Sequence, residues 1–235
     1  MAIALGVLMR GLAAFPVVRS PLQSDLTMTG LTAFEILRGD FQVFLFHGTR
    51  VGSLESYLHV PIFTLLGASR ETLFVAPQIA GLALLVAFAL LARELLGPDV
   101  GLVALLLLAV PPPGTLYLHI QPIGYTEMLL FVTLTLLCAV RIVRDGPGGW
   151  RGFGLGLAAG LGWWCSAMSL AGTLPAAIWI VWHRPDLLRR VRFLLVGAAG
   201  FVLGALPWII ANVRHPLISL GRGYSAQQGS FHYHL

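Results

Sequence analysis

Apolar runs of membrane-spanning length alternate with short polar breaks along most of the chain, and one polar stretch interrupts this rhythm. An opening run, Ala2–Val18, is followed by about fifty largely polar residues, 20–70. Apolar runs then recur at Leu73–Ala92, Val100–Leu118, Met128–Val143, Gly152–Trp182 and Phe193–Ile210. A helix rises about 1.5 Å per residue and the hydrocarbon core is about 30 Å thick, so runs near twenty residues predict spanning helices. The 152–182 run is too long for one crossing, and Gly172, Thr173 and Pro175 near its middle predict two short helices. Pro111, Pro112 and Pro113 remove three backbone donors and predict a break near the end of the Val100–Leu118 helix. The expected fold class is all-α, a polytopic bundle of about seven membrane helices.

The 20–70 stretch has its own helical pattern. Thr27–Arg38 is closed by Gly39, and Gly52–Leu66 by Gly67, which predicts two amphipathic helices lying against the bilayer. Connections between packed elements are commonly about four to six residues, so a polar loop of this length beside a membrane reads as a functional one.

Composition supports the membrane class. Hydrophobic residues make up 57% of the chain and charged residues 11%, with mean hydropathy +0.83. That much apolar surface exceeds what a water-soluble core of this size buries. The net charge of +5 comes from arginines at the ends of apolar runs rather than from a clustered basic face, which argues against nucleic acid. Arg93, then Arg141, Arg144 and Arg151, then Arg184, Arg189, Arg190 and Arg192 fall on one set of connections. The turns around Gln121 and Gly172 carry none. By the positive-inside rule the arginine set is cytoplasmic, and the 20–70 loop, the Gln121 segment and the tail share the outer face. Only Arg10 lies well inside a span. Cys138 and Cys165 have no motif spacing, and no metal site is indicated.

On the outer face the candidate acids are Asp25, Glu55 and Glu127. Asp25 follows the first span directly, where a catalytic carboxylate at the water–lipid boundary and an ordinary helix N-cap are both consistent with its place. Glu55 and Glu127 each fall in the first turn of an expected helix, where a carboxylate also complements the helix dipole. Arg50 and Arg222 are candidate phosphate ligands and equally candidate interfacial anchors.

The order of these pieces resembles bacterial membrane glycosyltransferases of the GT-C class, nearest in pattern to the protein-mannosyltransferase (glycosyltransferase family 39) group. The carrying features are an acid after the first span, an amphipathic helix ending in Gly39–Asp40, and Gly48–Glu55 (GTRVGSLE). Tyr57, Pro61–Phe63, Leu66–Gly67 and Leu91–Gly97 (LARELLG) follow, then Gly124–Leu129, Gly160–Trp164, Leu206–Trp208 and Asn212. The resemblance implies inverting transfer of a sugar from a polyprenyl-phosphate donor to an acceptor hydroxyl of a glycan, lipid or protein. It places the reaction on the non-cytoplasmic face of a bacterial inner membrane, makes Asp25 the catalytic residue, and leaves a divalent cation open. Leu26 stands where many relatives carry a second acid. Relatives also continue further, so residues 1–213 match a transmembrane catalytic module and 214–235 an outer tail, read as truncated. Competing readings are a lipid or solute transporter or flippase, and an inactive fragment of the same class.

Overall fold

The computed structural model describes residues 2–19, 24–45 and 51–215. Eleven α-helices lie among them: α1 (Ala2–Arg19), α2 (Ser24–Leu37), α3 (Leu54–Leu66), α4 (Val75–Leu96), α5 (Pro98–Ala109) and α6 (Pro113–Ile120), followed by α7 (Tyr125–Asp145), α8 (Gly149–Cys165), α9 (Leu170–His183), α10 (Val191–Gly204) and α11 (Leu206–Arg214). The all-helical expectation holds. The count of seven membrane helices is not confirmed: Thr72–Leu96 and Tyr125–Asp145 are long and apolar enough to cross, and two bent pairs raise the number to at most four.

Those bends revise two expected spans. The chain turns by 78° between α5 and α6, so the prolines halve the expected Val100–Leu118 helix instead of trimming its end. It turns by 71° between α10 and α11, where Pro207 in the first turn of α11 cannot continue the preceding helix. The expected division of 152–182 is present but displaced. It falls at Ser166–Ser169, where the Ser166 side chain accepts a hydrogen bond from Met168 N–H, while Gly172 sits inside α9 against Val132.

Helix directions follow from the contacts. Glu94 near the end of α4 pairs with Arg141 and Arg144 near the end of α7, so these two helices run parallel. Helices α8 and α10 also run parallel, along a glycine seam. A Cβ at Gly156 would meet the Gly197 carbonyl, one at Gly160 the Phe201 carbonyl, and one at Gly200 the Phe153 carbonyl. Small residues four apart let two backbones approach this closely, the usual device of helices packed without a hydrophobic driving force. Helix α9 packs alongside α7 through Ala139, Ile142, Ala176 and Ile180, closed below by Leu187.

These directions sort the polar residues to two ends. Arg141, Arg144, Arg151, Glu94, Asp145, Arg184, Asp186 and Arg190 share one end. Helices α2 and α3, the 121–124 segment and the start of α7 occupy the other. Helix α2 forms where a helix was expected, but its two faces do not divide into apolar and polar: Leu26, Thr29, Thr32 and Ala33 are buried while Leu31, Phe34 and Leu37 are exposed. Its buried face joins Phe63, Leu73 and Phe74 in a small core.

Candidate active site

The site forms where segments distant in sequence converge on the N-terminus of α7. Gly124 caps that helix in the left-handed region, φ +77°, which a residue with a Cβ adopts only at a cost. Its backbone N–H donates to Glu55 Oε2 on α3. Glu55 therefore supplies the N-terminal carboxylate of a helix other than its own. The sequence placed this carboxylate at the dipole of α3, and the structure spends one of its oxygens on α7.

Two turns of chain hold the pair in place. Thr29 Oγ1 of α2 donates to the Pro122 carbonyl at 2.6 Å, and Ser56 Oγ of α3 donates to the Thr29 carbonyl at 3.0 Å. Thr126 Oγ1 donates to the His119 carbonyl at 3.0 Å, folding the end of α6 against α7. His59 lies between two backbone carbonyls, with Nδ1 2.9 Å from Glu55 O and Nε2 2.8 Å from Leu73 O. Both contacts are hydrogen bonds at once only when the ring carries two protons, whereas burial pulls its pKa below the ordinary value.

A short strap closes the site from the side. Val51 bridges Ser166, and Gly52 N–H donates to the Cys165 carbonyl at 2.9 Å. Trp164 Nε1 returns a bond to the Val43 carbonyl at 3.0 Å, and its ring lies 5.8 Å from that of Tyr57. A Cβ on Gly52 would run into the Trp164 carbonyl, so the strap requires glycine there.

Glu55 and Glu127 are brought together, each 1% exposed. Beyond the Gly124 bond, Glu55 Oε1 and both oxygens of Glu127 lack a hydrogen-bond partner among the described residues. Burial, and then the neighbouring Glu127, push the Glu55 pKa well above the ordinary carboxylate value, against the opposing Gly124 bond. The physical reason is plain: two carboxylates in a low-dielectric site cannot both be charged without a cation between them, so a proton is retained. The Cys165 thiol lies within the field of both.

Asp25 is the second residue of α2, one helical turn before Thr29, so its backbone reaches this end of the bundle; its side chain lies outside the described residues. Arg50 and Arg222 also lie outside them. Among the described residues no three His, Cys, Asp or Glu side chains gather into a set that could hold a metal ion. Sequence reasoning missed the Gly124 N–H, the Gly52 strap and the closeness of Cys165. The αL glycine opening the Gly124–Leu129 run was the one readable signal among them.

Searches of curated proteins and of solved structures return no match. One family profile does match, over residues 54–210, a stretch that contains Glu55, Gly124, Glu127 and Trp164 and begins after Asp25. That stretch is more than half of the chain, and the chain belongs to the dolichyl-phosphate-mannose-protein mannosyltransferase family, a family of membrane glycosyltransferases of GT-C type.

Proposed function

We propose that this chain transfers a sugar from a polyprenyl-phosphate donor to an acceptor hydroxyl on the non-cytoplasmic face of a bacterial inner membrane, with inversion. The observation that carries the reading is the convergence of the first turn of α2, the Glu55 carboxyl and the start of α7 on one end, opposite the arginine-bearing connections. In the proposed reaction the acceptor oxygen attacks the anomeric carbon from the face opposite the phosphate. The acceptor proton passes to the Asp25 carboxylate, the bond from anomeric carbon to phosphate oxygen breaks, and polyprenyl phosphate leaves with the electron pair. A carboxylate at the surface suits this task, because the acceptor comes from water and the donor tail stays in hydrocarbon. Arg50 and Arg222 are the proposed partners of the leaving phosphate.

Glu55 and Glu127 have a different role in this reading. Enclosed and sharing a proton, they fix the 121–124 segment against α3 and so shape the floor beneath α2. They are positioning residues, and Asp25 is the catalytic one.

The test is Asp25→Asn in purified full-length protein, assayed for sugar transfer from a polyprenyl-phosphate donor. Loss of roughly 10²–10⁴-fold in turnover with unchanged insertion and thermal midpoint is expected. Retained turnover counts against the reading, and donor flux without transfer in proteoliposomes favours a transporter instead.

A further inference from the structure

The cations at the arginine end exceed the carboxylates that hold them. Asp186 is shared by Arg184, whose Nε lies at 3.0 Å, and by Arg190, with a terminal nitrogen at 3.0 Å. Glu94 and Asp145 are likewise spent on Arg141, Arg144 and Arg151. Among the described residues no carboxylate pairs with Arg192, and the first turn of α10, where it stands, holds no acid. Such an excess is ordinary at the end of a membrane helix. The hollow beside it is not.

Arg190 and Arg192 line a cavity of about 280 Å³ together with Pro147, Phe193 and Val196. Pro147 stands in the turn between α7 and α8, which Arg151 fastens by donating to the Gly146 carbonyl at 3.1 Å. Phe193 is pressed against α8, where a Cβ at Gly152 would meet its ring at 3.0 Å. Val196 lies about one turn along α10 from Arg192, some 6 Å deeper along the axis, so the cavity is charged at its mouth and apolar at its floor. Its volume is about nine times the ~30 Å³ that one water occupies in the liquid, room for a phosphodiester and the first carbons of a chain. Leu188, Val191 and Leu195 are exposed among the arginines, which sets the mouth at the boundary of water and hydrocarbon.

We propose that this cavity binds the headgroup of an anionic phospholipid from the leaflet at the arginine end. The Arg190 and Arg192 guanidiniums donate to the phosphodiester oxygens, while the first carbons of the acyl chains descend along Phe193 and Val196. The pairing of the two halves selects this ligand. A soluble anion uses only the charged mouth, and a neutral lipid only the floor. A zwitterionic lipid brings its own cation to a place that already has too many, and an acidic peptide answers the charge but not the apolar descent. Basic pockets between membrane helices hold anionic headgroups for this reason. The cavity lies at the opposite end of the bundle from Glu55 and Gly124, apart from the proposed donor site, and it stands whether or not the chain transfers a sugar.

The experiment measures the thermal midpoint of the full chain in neutral detergent, titrated with short-chain phosphatidylglycerol, phosphatidylcholine of equal chain length, glycerophosphoglycerol and a polyglutamate peptide. Phosphatidylglycerol is expected to raise the midpoint saturably, and the other three to leave it unmoved at the same concentration. Arg192→Gln changes an exposed side chain and is expected to fold and to weaken the apparent affinity about 5-fold, the worth of one arginine near an anionic lipid surface. Arg190→Gln combined with it is expected to weaken binding about 25-fold. Arg189→Gln removes the same charge from outside the cavity and is expected to bind as wild type. Val196→Phe fills the floor without touching a charge, and gives a comparable loss should the double variant misfold. Equal loss in Arg189→Gln reduces the effect to diffuse attraction and overturns the site. So does unchanged affinity in the arginine variants, or phosphatidylcholine as effective as phosphatidylglycerol. Glycerophosphoglycerol or polyglutamate acting as strongly overturns the lipid in favour of a soluble anion or an acidic protein segment.

Discussion

The two ends of the bundle hold their charges in opposite ways. At the arginine end, Glu94 pairs with Arg141 and Arg144, Asp145 with Arg144 and Arg151, and Asp186 with Arg184 and Arg190. Most of these groups are partly exposed, and each carboxylate has a cation on it. At the opposite end Glu55 and Glu127 are enclosed, adjacent and, among the described residues, without a cation. The first arrangement is what interfacial helix ends require, since surface pairs order a turn at little net gain. The second is destabilising and persists only because Gly124, the strap and the 121–124 segment hold it. The difference teaches where the molecule carries stored free energy, and that is the end where chemistry is proposed.

The sharpest way to break the comparison is Gly52→Val. Its side chain would collide with the Trp164 carbonyl, so the strap opens, and a loss of about 3 kcal/mol in denaturant unfolding is expected with faster proteolysis near residue 52. Next in size, Glu55→Ala leaves the Gly124 N–H without its acceptor and should cost about 2 kcal/mol by the same measurement.

A smaller effect concerns pH. Because the folded-state pKa of Glu55 is raised, the folded protein holds a proton that the unfolded chain releases near the ordinary value of 4.5. Its contribution is therefore fully present below that value and is lost as pH rises through the folded pKa. Glu55→Gln keeps an oxygen for Gly124 and offers an amide to Glu127, so its thermal midpoint should match wild type in acid and exceed it in alkali. An identical pH profile for the two proteins would show that the pair does not retain a proton. The smallest effect belongs to the other end: Glu94→Gln should change stability by less than about 1 kcal/mol, and added salt should erase the difference.

Much of the arrangement was readable in the residues. Run lengths marked the helices, and the separation of Arg93, Arg141 and Arg184 from Gln121 marked the two ends. Helix α2 appeared over most of Thr27–Arg38, although its exposed face carries Leu31, Phe34 and Leu37. What was not readable was tertiary in origin. Pro111–Pro113 announce a break, but a sequence does not say that the chain will turn by 78° there. Gly172 looked like the breaker of the long run, yet it serves close packing on Val132, and the break went to Ser166, whose hydroxyl satisfies a freed N–H. Glu55 and Glu127 are 72 positions apart, and no local pattern shows that a carboxyl on one helix caps another. Arg10 stood out as a lone cation in an apolar run, while the glycine that accommodates it lies on α4.

The strap has a consequence for how the protein is made. Gly52 leaves the ribosome 113 residues before the Cys165 carbonyl that receives its N–H, an interval on the order of ten seconds at about 5–20 residues per second. Until the end of α8 is made, the 51–52 strap has no partner at Cys165 or Ser166 to close on. Biosynthesis must therefore leave this half of the site ajar until the end of α8 has been made, long after α3 and the start of α7 that form the rest of it.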